Sequence, residues 1–199
     1  MKSAIIVDST AGLAPEYANH PDVYQVTLTL NFANGDCFTD TIQAEPVKAF
    51  YQRLATDAEL PKTTQPLPGE YLKVMAEIVA KGYDEVFIIH LASAISGTLQ
   101  AAAVMVQEFT DQINSHIIDS KGTSVVMEHM VRCALTYIEA GLAPAEIVAK
   151  LKWLADNAHI YLMVDDINAL VRGGRASVAT ALVGNMLKII PVLEFKADG

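Results

Sequence analysis

Short runs of apolar and β-branched residues alternate along the chain with longer stretches in which apolar side chains recur every three or four positions. The first pattern is that of strands and the second that of helices laying one apolar face on a sheet, so the alternation predicts an α/β fold with a helix-covered parallel sheet. Strands are expected at about 3–8, 23–30, 85–91, 115–119, 159–165 and 187–194. The first, third and fourth are nearly continuous in apolar residues and are expected to be buried on both faces. Helices fit between them at about 12–19, 46–56, 68–81, 97–110, 122–140, 144–157, 166–172 and 176–185. Pro15, Pro46, Pro68 and Pro144 fall in first turns, where a missing N–H costs nothing, and Gly82 and Gly141 follow helix ends. In the helix from 68, Tyr71, Leu72, Met75, Ile78 and Val79 form one apolar face.

A boundary is expected near 157, where a helix ends and a new strand begins. Residues 1–157 then form an α/β/α domain, and 158–199 supply the beginning of a second α/β domain. Those last 42 residues offer only two strands and two short helices, too little surface to close a core of their own. Asp198-Gly199 is also a hairpin signal that asks for a returning strand. The second domain is therefore expected to be incomplete, truncated or finished by another chain.

Composition narrows the classes of function. At 199 residues and 52% hydrophobic content the chain can bury a substantial core. With 14 Lys+Arg against 23 Asp+Glu its net charge is -9, which disfavours nucleic acid as a partner. Cys37 and Cys133 stand apart without a CxxC pair, arguing against a zinc ribbon or a disulfide scaffold. The N-terminal apolar run has four residues, too few for a secretory signal, and no stretch approaches the roughly 18 apolar residues of a membrane span. A cytoplasmic protein without a membrane span is expected.

Polar residues gather after the strands, where parallel sheets hold ligands. They are Asp8-Ser9-Thr10, Lys62-Thr63-Thr64-Gln65-Pro66 (read as a loop), Ser93 to Thr98, and Asp119 to Ser124. One hydroxyl in such a loop is explained by helix capping. The Ser93 to Thr98 segment offers three hydroxyls and Gly97, more than capping needs, and reads as a cradle for a small anion at a helix N-terminus. GxGxxG and the Walker lysine are both absent. His90 beside this loop opens a second reading, a hydrolase with Ser96 as nucleophile and Asp119 or Asp166 as orienting acid, although the glycine-flanked elbow is missing. A third reading is a small-anion binding module on the same scaffold. The five histidines lack metal-binding spacing, so no metal is expected. Gly173-Gly174-Arg175 holds an arginine just past a helix end.

The ordered set Asp8-Ser9-Thr10, Lys62-Thr63-Thr64-Gln65-Pro66, Ser93-x-x-Ser96-Gly97-Thr98 with Gln100-Ala101-Ala102, Asp119-Ser120, Gly173-Gly174-Arg175-x-Ser177 and Ile190-Pro191 resembles the DegV family over essentially the whole chain. The resemblance implies a non-catalytic protein that holds a long-chain fatty acid between an α/β/α and an α/β domain, with no cofactor. It also implies that the carboxylate is presented to a separate ATP-dependent fatty-acid kinase. The head group would then lie against Thr63, Thr64, Ser93, Ser96, Gly97 and Thr98, with Ser9, Asp119 and Arg175 as secondary candidates. Thr64 stands where the family more often has serine, which keeps the hydroxyl, and Ala176 stands where isoleucine is common.

Overall fold

A computed structural model describes residues 2–57, 59–164, 166–175 and 192–195. Its centre is a parallel sheet of four strands: β1 (Ser3–Asp8), β2 (Val23–Val26), β6 (Glu85–His90) and β7 (Asn114–Asp119), in the order β2-β1-β6-β7. The register sets Ile5 beside Val23 on one side and Phe87 on the other, and Phe87 beside His116. Side chains alternate between faces, so each central strand feeds two cores. Ile5, Val7, Phe87 and Ile89 pack against α5 (Val125–Glu139) and α6 (Pro144–Asn157) through Met127, Met130, Val131, Ile147 and Leu151. Ala4, Ile6, Val86 and Ile88 pack on the opposite face against α3 (Pro68–Ala80) and α4 (Thr98–Met105) through Tyr71, Met75, Ile78 and Ala102. The result is the expected α/β/α layering.

The sequence pattern is followed closely where strands are central and less so at the edges. β1 and β6 are buried at every residue. β7 is only partly buried, because it is an edge strand; the expectation of burial on both faces fails there. The strand expected over 23–30 is two strands. Between them the N–H of Thr27 donates to Glu70 Oε1 (3.0 Å) and that of Leu28 to Ser9 Oγ (3.0 Å), so side chains replace the ladder and the chain leaves the sheet.

It then enters a second, antiparallel sheet of β3 (Thr29–Asn31), β4 (Cys37–Thr39) and β5 (Lys62–Thr64), ordered β4-β3-β5. The segment read as a loop at Lys62-Thr63-Thr64 is thus a strand, paired Thr29 to Thr64 and Leu30 to Thr63. Its short polar sequence carries no alternation to reveal it. Against this sheet lies α2 (Ala44–Leu54), whose Phe50 meets Phe32 and Phe38 edge to face, with Arg53 stacked 3.9 Å above the Phe32 ring.

The short helix α1 (Pro15–Ala18) begins late because Gly12, at φ 58°, turns the chain first. The helix expected from 122 starts at Val125, after Lys121 and Ser124 adopt positive φ. That expected over 97–110 ends as α-helix at Met105 and continues as a 3-10 turn to Phe109. Beyond α6, β8 (Ile160–Met163) pairs antiparallel with β9 (Val192–Phe195), and α7 (Ile167–Arg172) follows β8. The helix expected at 176–185, most of the strand at 187–194, Ser177, Ile190-Pro191 and Asp198-Gly199 lie outside the described residues.

Candidate functional site

β1, β6 and β7 end together at Asp8, His90 and Asp119, and the polar loops lie beyond this carboxyl edge. Asp8 and His90 are wholly buried. Asp8 Oδ2 accepts from His90 Nδ1 (3.0 Å) and the Leu91 N–H (2.9 Å), while Oδ1 accepts from the Thr10 N–H (3.0 Å) and hydroxyl (2.6 Å). Burial by itself raises the Asp8 carboxyl, but the His90 hydrogen bond and charge, helped by Thr10 and Leu91, hold it below the usual carboxylate range. A carboxylate on Nδ1 fixes a proton there and leaves Nε2 for a second partner. The Tyr71 hydroxyl sits 3.3 Å from that nitrogen. Burial first, and the Asp8 charge second, push the Tyr71 phenol well above its ordinary value, so it keeps its proton.

This network corrects the hydrolase reading. His90 spends both ring nitrogens on Asp8 and Tyr71 and does not pair with Ser96. The acids proposed to orient it are occupied elsewhere: Asp119 accepts from Ser93 and Lys121, and Asp166 caps α7 through the Asn168 N–H. His90 is a hydrogen-bonded core residue at a strand end.

A cleft of about 460 Å³ opens beside this edge, between the end of β5, the loop before α4 and the turn after α7. Thr63, Thr64, Ser96, Gly97 and Arg175 all line it. Ser96 Oγ accepts from the Thr98 N–H (3.3 Å) and pairs with the Thr98 hydroxyl (2.9 Å). With buried Thr98 as donor in that pair, the Ser96 proton is left for the cleft. Thr64 is less free, since its hydroxyl meets Thr29 Oγ1 at 2.5 Å and Asn31 Nδ2 at 3.2 Å.

Arg175 arrives because Gly174, at φ 75°, reverses the chain after α7. Its guanidinium donates to the carbonyls of Gly173 (2.5 Å) and Ile95 (3.4 Å) and reaches Thr63 Oγ1 at 3.4 Å. Among the described residues no carboxylate pairs with it, although the chain is strongly acidic.

Four residues singled out from the sequence stand apart from this lining, among them Thr98, buried behind Ser96. Ser93 gives its hydroxyl to Asp119 (2.5 Å) and its N–H to the same carboxylate (3.3 Å), so these two hold each other. Ser9 is buried and accepts from Leu28. Gln65, quoted in a motif but not singled out, does line the cleft, and a Cβ on Gly97 would collide with its carboxamide. Two more hollows adjoin. One of about 350 Å³, between α3 and α4, shares Thr64 and Gln65 with the cleft; another of about 570 Å³, lined by Phe50, Leu54, Leu60 and Leu170, shares Thr63 and Arg175. Among the described residues there is no cluster of three or more metal-binding side chains, and no helix is long and apolar enough to cross a membrane.

A family model described as "Uncharacterised protein, DegV family" matches residues 2–199. A DegV domain-containing protein of Staphylococcus aureus is 32% identical over 199 residues, which are 100% of this chain and 68% of that protein. The crystal structure of a fatty acid binding DegV family protein from Streptococcus agalactiae superposes with a TM-score of 0.88 at 32% identity, over 100% of this chain and 69% of that one. A stearic-acid-binding protein from Eubacterium ventriosum gives a TM-score of 0.81 at 28% identity, over 100% and 68% respectively.

Proposed function

The chain belongs to the DegV family, and from that premise we propose that it is a lipid-binding protein that holds a long-chain fatty acid by its carboxylate in the cleft beside Arg175. The observation that carries this reading is the lining itself: an arginine without an acidic partner among the described residues, the hydroxyls of Thr63 and Ser96, and the bare backbone of Gly97 face one hollow. A carboxylate taken out of water needs several donors to offset its lost hydration, and a guanidinium supplies a two-pronged, charge-assisted pair. The proteins of similar structure named above are described as binding fatty acids, one of them stearic acid. Thr64, Ser93 and Thr98 serve the head group from behind, Thr98 by orienting Ser96 and Ser93 by anchoring its loop to Asp119.

The alkyl chain lies sheltered between the body formed by residues 1–157 and the segment that follows. Burial contributes about 0.8 kcal/mol per methylene, so a chain of roughly 14 to 18 carbons binds tightly without any chemistry on the protein's part. With His90 tied to Asp8 and Tyr71, the protein in this reading carries the acid and presents its carboxylate to a separate ATP-dependent fatty-acid kinase. Mass spectrometry of organic extracts of the purified protein tests the core of this. A long-chain fatty acid near one equivalent is expected, reduced severalfold in Arg175→Ala. Extracts free of fatty acid, together with no uptake of added stearate, would sink the reading. Formation of acyl phosphate only when protein, kinase and ATP are combined tests the second half.

A further inference from the structure

Gln65 sits where β5 gives way to α3, on the wall common to the polar cleft and the hollow between α3 and α4. Its carboxamide has no hydrogen-bond partner among the described residues. It is also accommodated by design of the opposite wall. Gly97 has φ -82°, a value open to any residue, so no backbone constraint calls for glycine there. What an added Cβ would meet is the end of the flexible Gln65 side chain: it would run into Nε2 and lie 3.3 Å from Cδ, so the carboxamide would have to swing aside. Gly97 is the N-cap residue of α4 and offers no side chain to cap the helix.

We infer that Gln65 is a head-group donor that fixes the choice of ligand, its amide N–H reaching the carboxylate over the bare Cα of Gly97. This rests on the fatty-acid reading above and names a residue and a specificity for it. The carboxamide presents two N–H donors, and Arg175 and the Thr63 and Ser96 hydroxyls present further ones around the same hollow. A carboxylate, which only accepts, satisfies such a set. An ester or an alcohol has fewer acceptor positions and no charge, and leaves donors unpaired. Gln65 and Gly97 therefore act as a pair: enlarging the glycine displaces the glutamine, and removing the glutamine makes the glycine dispensable.

The probes are cis-parinaric acid and its methyl ester, titrated by fluorescence against the full chain. Gln65→Ala is expected to weaken binding of the acid about tenfold, the usual scale for one lost hydrogen bond to a charged group, and to leave the ester within about twofold. Gln65→Glu places a second carboxylate against the first and weakens the acid further. Gly97→Ala weakens the acid like Gln65→Ala, and the double variant loses no more than Gln65→Ala alone, the non-additivity of a coupled pair. Gln65 is exposed, so its substitution leaves the fold intact. Equal binding of the acid by wild type and Gln65→Ala overturns the inference, as does a parallel loss for acid and ester. Wild-type protein that binds neither probe removes the fatty-acid reading and this inference with it.

Discussion

Asp8 is the residue on which the carboxyl edge of the sheet turns, since one buried side chain accepts from a histidine, a hydroxyl and two backbone N–H groups. Asp8→Ala strands His90 and those N–H groups in the core and is expected to cost about 3 to 5 kcal/mol in urea unfolding, the range for breaking a buried charged pair. Its folded carboxyl titrates below the unfolded one, so the stability it contributes is complete above the unfolded value near pH 4 and drains away as pH falls below that. Acid titration of Asp8→Asn is expected to lack that component. Thr63→Ala removes one cleft hydroxyl and is expected to weaken fatty-acid retention by about 1 to 2 kcal/mol with unfolding unchanged. Ser93→Ala is expected to act differently. It loosens a loop held by Asp119, so the change is read mainly as about 1 kcal/mol of stability, and an affinity loss as large as that of Thr63→Ala would instead put the Ser93 hydroxyl on the ligand.

Elements that form the main sheet were legible because burial on both faces writes a continuous apolar run, as in Ile5 to Val7 and Val86 to Ile89. The antiparallel sheet was not, because its strands are three residues long and β5 is Lys62-Thr63-Thr64, whose extended shape comes from pairing with β3. The candidate site divides in the same way. Its hydroxyls and its arginine could be picked out as motifs, yet which of them share a hollow depends on how β5 and the turn after α7 approach the loop before α4. Hence Ser93 looked equivalent to Ser96, and Gln65 carried no signal beyond its place in a motif. One element-level prediction follows from the dependence on β3. Leu30→Pro at the middle of that strand removes a ladder donor and is expected to raise the fatty-acid dissociation constant at least about tenfold, while circular dichroism of the larger sheet and its helices changes little.

For the molecule as a whole, a net charge of -9 surrounds a cleft whose own charge is that of Arg175. A fatty-acid anion is repelled at a distance and held at contact, so its association rate is expected to rise on the order of twofold between low and physiological salt, with dissociation nearly constant; stopped-flow measurement of parinaric acid binding checks this. Arg175 meets Thr63 across 112 residues of chain and Ile95 across 80. The Thr63 contact is more remote than the 82 residues between paired positions of β1 and β6, and is expected to close after that sheet has formed. A refolding chain is therefore a layered body of sheet and helices before it is a receptor. Trp153, the single tryptophan and part of α6, reports the first event, and recovery of parinaric acid uptake, lagging behind it, reports the second.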